Sequence, residues 1–131
     1  MMVERNYHLQ DNVEPLPALY IELTRPNEDE PFLKGLLAPL DTGAPFTAIP
    51  YQYKDVAGLN PHDHTPIKHG NYHDPRCPKY LAKVTAEECM PQMVEIIFLP
   101  TLKQPVIGRN LMKFWDTTLK GPERILEITE P

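Results

Sequence analysis

The sequence predicts an all-β domain with one short helix, and three observations carry that prediction. Sixteen prolines in 131 residues are more than double the usual share of about 5%. They fall mostly between apolar runs, as at Pro26, Pro31, Pro61, Pro66, Pro75, Pro78, Pro91 and Pro122, where they favour short strands and loops over long helices. The apolar runs themselves are short, β-rich and in places alternating, as in "PALYIELTR" and "QMVEIIFL", which is the period-two signature of a half-buried strand. Only "PVIGRNLMKFWD" has the spacing of an amphipathic helix, with Leu111, Met112 and Trp115 on its inward side.

Taken in order, residues 1–15 read as a flexible arm. Pro17–Arg25 is a strand, "PNEDE" a charged turn, and Phe32–Leu40 a second strand, so the pair is a hairpin that delivers Asp41 at its far end. "TAIP" is a further short strand, and "YQYKDVAG" a helical turn ended by Gly58. From Leu59 to Pro78 the chain is polar and reads as a mobile excursion whose middle can form a hairpin around Gly70. Tyr80–Ala86 and Gln92–Leu99 are strands separated by a turn at "EECMP". Val106 and Ile107 then precede Gly108 and the helix, and the chain turns at Lys120-Gly121-Pro122 before a last strand, Arg124–Ile128.

Length suits one domain. Thirteen basic against eighteen acidic residues give a net charge of −5, and no stretch concentrates Lys and Arg, which argues against a nucleic-acid partner. No apolar run reaches membrane length and the start "MMVERNYHLQ" lacks the core of a signal peptide, so a soluble, cytoplasmic protein is expected, with no membrane partner. Cys77 and Cys89 are then expected as free thiols.

The stretch "LLAPLDTGAPFTAIP" places Asp41 between apolar runs and directly before Thr42, Gly43 and Ala44. One reading is a turn, with Asp bonding nearby backbone N–H groups. The other is chemical, because a carboxylate bracketed by buried strands is costly unless it is hydrogen-bonded or has a task. The excursion adds His62, His64, His69, His73 and Cys77, which are metal-ligand types. Their spacing matches no standard structural zinc pattern, so no metal and no cofactor is assigned.

Two elements together, "LLAPLDTGA" early and "PVIGRNLMKF" late, resemble the retropepsin-like aspartic proteases, in which a D-T-G-A or D-S-G-A turn carries the catalytic Asp and an apolar-apolar-G-R-N/D-L segment begins the single helix. The order of elements is similar from Leu19 to Ile128, and the C-terminal "LKGPERILEI" looks more like the cellular and bacterial single-domain members than the retroviral ones. The resemblance implies an acid-protease barrel over residues 16–131 with one short C-terminal helix, assembled as a C2 homodimer. It implies Asp41 as the catalytic carboxylate, Thr42 as the residue orienting the loop, Gly43 as backbone offered to a substrate peptide, and Ala44 as a close-packed position. Gly108 and Arg109 are structural supports. Family members often pair this Arg with a carboxylate soon after the D-T-G-A; here Pro45 and Phe46 follow instead, and Arg109 is expected as a structural hydrogen-bonder. The segment about 59–78 corresponds to the flap covering a substrate, with Ile67, His69, Gly70 and Tyr72 as its candidate residues.

Peptide hydrolysis by carboxylates needs two of them, one ionised to take a proton from water and one protonated to polarise the carbonyl. Aspartic proteases are the standing example of two such groups sharing one proton. This chain has a single D-T-G and no internal repeat, so the second Asp must come from a second copy, as a two-fold axis through the site would supply. The expected function is an aspartic endopeptidase acting on a peptide or protein substrate. The C-terminal hairpin Thr117–Ile128 is expected to form part of the interface through Leu119, Ile125, Leu126 and Ile128. The alternative is a catalytically inactive module of the same fold that dimerises or binds peptides.

Overall fold

The fold is built on hairpins whose buried positions follow from alternation. In the computed structural model, which describes residues 2–10 and 13–131, β4 (Ala18–Thr24) buries Leu19, Ile21 and Leu23 and exposes Tyr20 and Glu22. It pairs antiparallel with β5 (Pro31–Pro39) in a register that sets Ala18 opposite Pro39 and Tyr20 opposite Leu37. Beyond these lie β6 (Thr47–Pro50), β7 (Asp63–His69), β8 (Tyr72–Ala86) and β9 (Gln92–Leu99). Strands β5, β4, β8, β9 and β6 are neighbours in that order, and β7 joins the sheet through β8. The β6–β9 pair is parallel, with Thr47 opposite Ile96 and Pro50 opposite Leu99.

Strand β8 is longer than the expected Tyr80–Ala86. Its inner half packs Tyr80, Ala82, Val84 and Ala86 into the core, while its outer half pairs with β7. Two of the prolines that read as strand breakers, Pro66 and Pro75, sit where the ladder is interrupted, while Pro78 stays in register opposite His64. Thr65 faces Cys77 and Ile67 faces Asp74, so one residue, Pro66, stands against two, Pro75 and Arg76. A bulge tolerates residues without an N–H.

Part of the expected N-terminal arm is ordered structure. Strand β1 (Met2–Asn6) pairs antiparallel with β11 (Ile125–Thr129), which also pairs with β10 (Asp116–Lys120). Val3 is buried in the main core with Leu126 and Ile128, and Arg5 bonds Glu87 at 2.6 Å and also pairs with Glu88. A hairpin of β2 (His8–Gln10) and β3 (Val13–Leu16) follows. The arm reading is therefore corrected for these residues: one inward valine and an ion-pairing arginine suffice to dock a strand whose partner lies at the other end of the chain. Met1, Asp11 and Asn12 of that expected arm lie outside the described residues.

Among the described residues there are two short α-helices, where one short helix and a helical turn were expected. After a 3₁₀ turn at Tyr51–Tyr53, α1 (Lys54–Ala57) ends at Gly58, which takes the left-handed conformation at φ 59°. Arg25 donates to the Ala57 and Val56 carbonyls at 2.7 and 2.9 Å, satisfying helix-end acceptors that have no partner within the helix. The second helix, α2 (Arg109–Met112), buries Leu111 completely. Two apolar clusters result. The main core lies under β4, β8, β9 and α2, and a satellite cluster joins Ala48, Ile97 and Leu99 to Ile67 and Cys77. Among the described residues no helix is long and apolar enough to cross a membrane.

Candidate active site

The Asp41 loop is clamped by a second segment threaded between its two arms. Ile107 N–H donates to Pro39 O at 2.8 Å and Ile107 O accepts from Asp41 N–H at 2.9 Å, on the incoming side. On the outgoing side Val106 and Ala48 exchange both backbone bonds, at 2.9 and 3.1 Å, and Arg109 N–H donates to Ala44 O at 2.8 Å. The two sequence motifs, "LLAPLDTGA" and "PVIGRNLMKF", thus form one structural unit.

Within the clamp the loop is a tight turn. Ala44 N–H donates to Asp41 O at 3.1 Å and Gly43 N–H to the Asp41 carboxylate at 2.9 Å, the local pattern that Asp-x-Gly favours. Arg109 Nη1 donates to Thr42 O at 2.9 Å and pairs with no carboxylate among the described residues. Gly108 allows the close approach: a Cβ there would lie 2.3 Å from the carbonyl carbon and oxygen of Phe46. Asp41, Thr42 and Gly43 are exposed in the single chain. The carboxylate is therefore not buried by its own strands, as the flanking apolar runs led one to expect; it stands at the tip of a turn, solvated and hydrogen-bonded.

Residues not singled out from the sequence hold the clamp together. Asn110 Oδ1 accepts from both the N–H and the hydroxyl of Thr47, at 2.9 and 3.0 Å, and its Nδ2 donates to Glu95 O at 2.6 Å. Thr47, fully buried, accepts in turn from Gly108 N–H at 3.2 Å. A buried threonine just after an Asp-bearing turn, with an asparagine after "GR", was the available signal.

The β7–β8 hairpin overhangs this loop. A cavity of about 140 Å³ lies between them, with Asp41, Phe46, Ala48 and Val106 on one side and Ile67 and His69 on the other. Gly70, at φ 60°, is the first residue of the two-residue turn between His69 and Tyr72, a position that needs positive φ. Tyr72 packs at the edge of the satellite cluster. Of the flap candidates, Ile67 and His69 thus line the cavity with Asp41, while Gly70 lies in the turn and Tyr72 begins β8 beyond it.

At the hairpin's root His62 Nε2 lies 2.6 Å from Glu95 Oε2, which also pairs with Lys79 at 3.1 Å; Lys79 reaches Asp63 at 3.5 Å and lies over the Phe46 ring, 5.4 Å from its centroid. Partial burial pushes the Glu95 carboxyl up, but the bonds from His62 and Lys79 outweigh it and hold the group below its ordinary range. The bond to Glu95 raises Lys79. Burial raises the thiol of Cys77 and pushes Cys89 up to about 11, so neither is an activated thiolate. The histidines of the excursion are spread along the hairpin, and among the described residues no three His, Cys, Asp or Glu side chains converge.

On the other side of Asp41 a larger apolar hollow of about 520 Å³ is bounded by Leu40, Thr42, Met112, Trp115 and Leu119. Leu119 is 51% exposed. Leu126 and Ile128, expected at an interface, are instead buried in the chain's own core, because they occupy the inward positions of β11.

No protein-family model matches the sequence, and no curated protein matches it. Among solved structures the chain is similar to a retropepsin-like aspartic protease from Rickettsia conorii, with a TM-score of 0.61 and 13% identity over 98% of this chain and 91% of that one. It is also similar to EIAV protease in complex with the inhibitor HBY-793, with a TM-score of 0.53 and 14% identity over 80% and 92% of the two chains. The chain has the retropepsin-like aspartic protease fold.

Proposed function

We propose that the protein is an aspartic endopeptidase whose catalytic dyad is formed by Asp41 from each of two identical chains. The observation that carries this reading is the clamped Asp41 turn, solvated at the floor of a cleft under a hairpin. Thr42, Gly43 and Ala44 shape the loop, Gly108 and Arg109 brace it, and an extended peptide lies between loop and flap, held by backbone hydrogen bonds. One Asp41, ionised, takes a proton from water as its oxygen adds to the peptide carbonyl; the partner chain's copy, protonated, gives its proton to the carbonyl oxygen. On collapse of that adduct the first Asp41 gives the proton it took from water to the nitrogen, the C–N bond breaks, and a hydroxyl proton of the adduct returns to the partner chain's carboxylate.

A second copy is also supported by what Asp41 lacks and by what surrounds it. Two carboxylates about 3 Å apart can share one proton, whereas one alone cannot supply both base and acid. The apolar hollow beside Thr42 and the exposed Leu119 offer uncovered apolar surface at the place a two-fold partner would occupy. Two buried, unpaired cysteines fit a reducing, cytoplasmic setting.

The test is peptide hydrolysis by wild type and Asp41→Asn over a dilution series. The amide keeps the shape of the turn but has no proton to share, so the variant is expected to retain its fold and dimer and lose activity. Wild-type activity per chain should fall as dilution dissociates the dimer. Undiminished hydrolysis by Asp41→Asn would overturn the assignment. Peptide binding without hydrolysis in both proteins would favour the inactive module.

A further inference from the structure

The tip of the flap hairpin is anchored sparsely, by the half-buried Tyr72 ring against the satellite cluster and by one hydrogen bond. At its root, Ile67 and Cys77 are buried against Ala48, Ile97 and Leu99. Beyond them Lys68, His69, Gly70, Asn71 and His73 are all exposed. The Tyr72 hydroxyl turns back to Asp74 of its own strand at 3.4 Å and not to the body of the protein. His69 is different: its Nδ1 lies 2.7 Å from the Thr101 hydroxyl. Among the described residues this is the one side-chain hydrogen bond from the turn segment Lys68–His73 to the body. Thr101 lies two residues beyond the end of β9, between Leu99 and Leu102, and both leucines line the Asp41 cavity. The bond therefore joins lid to rim across the cleft.

We infer that the His69–Thr101 bond is a latch: His69 is a positioning residue that keeps the hairpin shut over Asp41 within a single chain. The geometry makes opening a two-part event. The tip, held besides by the half-buried Tyr72 ring, lifts when the latch breaks, while the root stays docked through Ile67 and Cys77. Segments with few buried apolar contacts open at the low end of a protein's stability range, so one hydrogen bond is a large share of what holds the tip. The hydroxyl can donate or accept, and it suits either tautomer of the imidazole.

A latch present in both the free and the occupied closed forms controls how fast a ligand passes, not how tightly it is held. Breaking it should speed association and dissociation together. This consequence for peptide traffic rests on the endopeptidase reading; the latch itself does not.

The test uses Thr101→Val, which keeps the side-chain shape without the hydroxyl, and Thr101→Ser, which restores the hydroxyl. Amide hydrogen exchange is measured across the full chain. In Thr101→Val the amides of residues 68–73 should exchange roughly three- to tenfold faster, as loss of one net hydrogen bond implies, with inner β8 and β9 unchanged and Thr101→Ser close to wild type. Unchanged tip exchange in Thr101→Val would overturn the latch. A statine-type transition-state mimic provides the second readout by stopped-flow binding: both rate constants should rise by a similar factor, leaving Kd within about twofold. An altered Kd with unaltered tip exchange would make Thr101 a ligand contact and refute the gate. Faster tip exchange with no binding of the mimic by either protein would support the latch and overturn the endopeptidase reading.

Discussion

The side-chain oxygen of Asn110 accepts both the backbone N–H and the hydroxyl of Thr47. Thr47 is the first residue of the strand that leaves the Asp41 loop, and Asn110 belongs to the helix that follows the clamp. One side chain thus couples the two motifs on which the functional reading depends, and Gly108 N–H on the Thr47 hydroxyl closes the circuit.

Asn110→Ala should therefore destabilise the fold far more than a typical half-exposed asparagine would. It leaves the N–H and hydroxyl of a fully buried threonine without their acceptor, at about 1–3 kcal/mol for each unsatisfied group, for an expected total of about 2–4 kcal/mol. Urea unfolding of variant and wild type measures it. A difference below about 1 kcal/mol would mean that Thr47 finds another partner.

Close packing rather than backbone conformation makes Gly108 indispensable, since its φ of −90° suits any residue. The atoms that an added Cβ would meet, at 2.3 to 2.8 Å, are all backbone atoms of Phe46 and Thr47, and neither can rotate away as a side chain would. Gly108→Ala must separate the two arms of the clamp and is expected to cost about 3 kcal/mol or more, at or beyond the upper end of ordinary overpacking. Gly121→Ala, where nothing lies within 4 Å, is the control and should change stability by no more than about 0.5 kcal/mol. Thermal melts of the two variants side by side decide it; equal midpoints would refute the close approach.

What could be read from the sequence was what depends on near neighbours. Strand β9 runs over Gln92–Leu99 as its β-rich run indicated, and the C-terminal hairpin turns where Gly121 and Pro122 stand. The Asp41 turn and its clamp were readable because two short motifs carry them. What escaped depends on partners far along the chain. Val3 pairs with Ile128, and nothing in "MVERN" announces that partner. The outer half of β8 was obscured by Pro75 and Pro78: the bulge that accommodates Pro75, and the register that sets Pro78 opposite His64, cannot be foreseen until the opposite strand is known. The contacts of His62 with Glu95 and His69 with Thr101 span 33 and 32 residues; the sequence marks those histidines as polar and does not announce partners so far along the chain.

The cluster at the root of the β7–β8 hairpin predicts a definite dependence of stability on pH. Glu95 meets His62 and Lys79 at once, and Lys79 also meets Asp63 and the Phe46 ring at the edge of the cleft. Burial disfavours the Glu95 carboxylate, but its two partners favour it more, and the net effect holds its pKa below the ordinary value of 4.5. A group depressed in the folded state contributes stability that is fully present above its unfolded pKa and lost as pH falls through the folded one. Glu95→Gln, which keeps the shape but not the charge, should thus be less stable than wild type near pH 7. The expected difference is within about 1 kcal/mol, because the pair is partly exposed and screened. The gap should close as the pH is lowered below 4.5 and through the depressed pKa. Lys79 gives the complementary limb: its pKa is raised by Glu95, so its share is present below its ordinary value of 10.5 and is lost as pH rises through the folded one. Urea unfolding of wild type and Glu95→Gln from pH 3 to pH 8 provides the check. A gap that stays constant across that range would show that Glu95 acts through shape and packing alone, leaving the root of the β7–β8 hairpin without an electrostatic tie to β9.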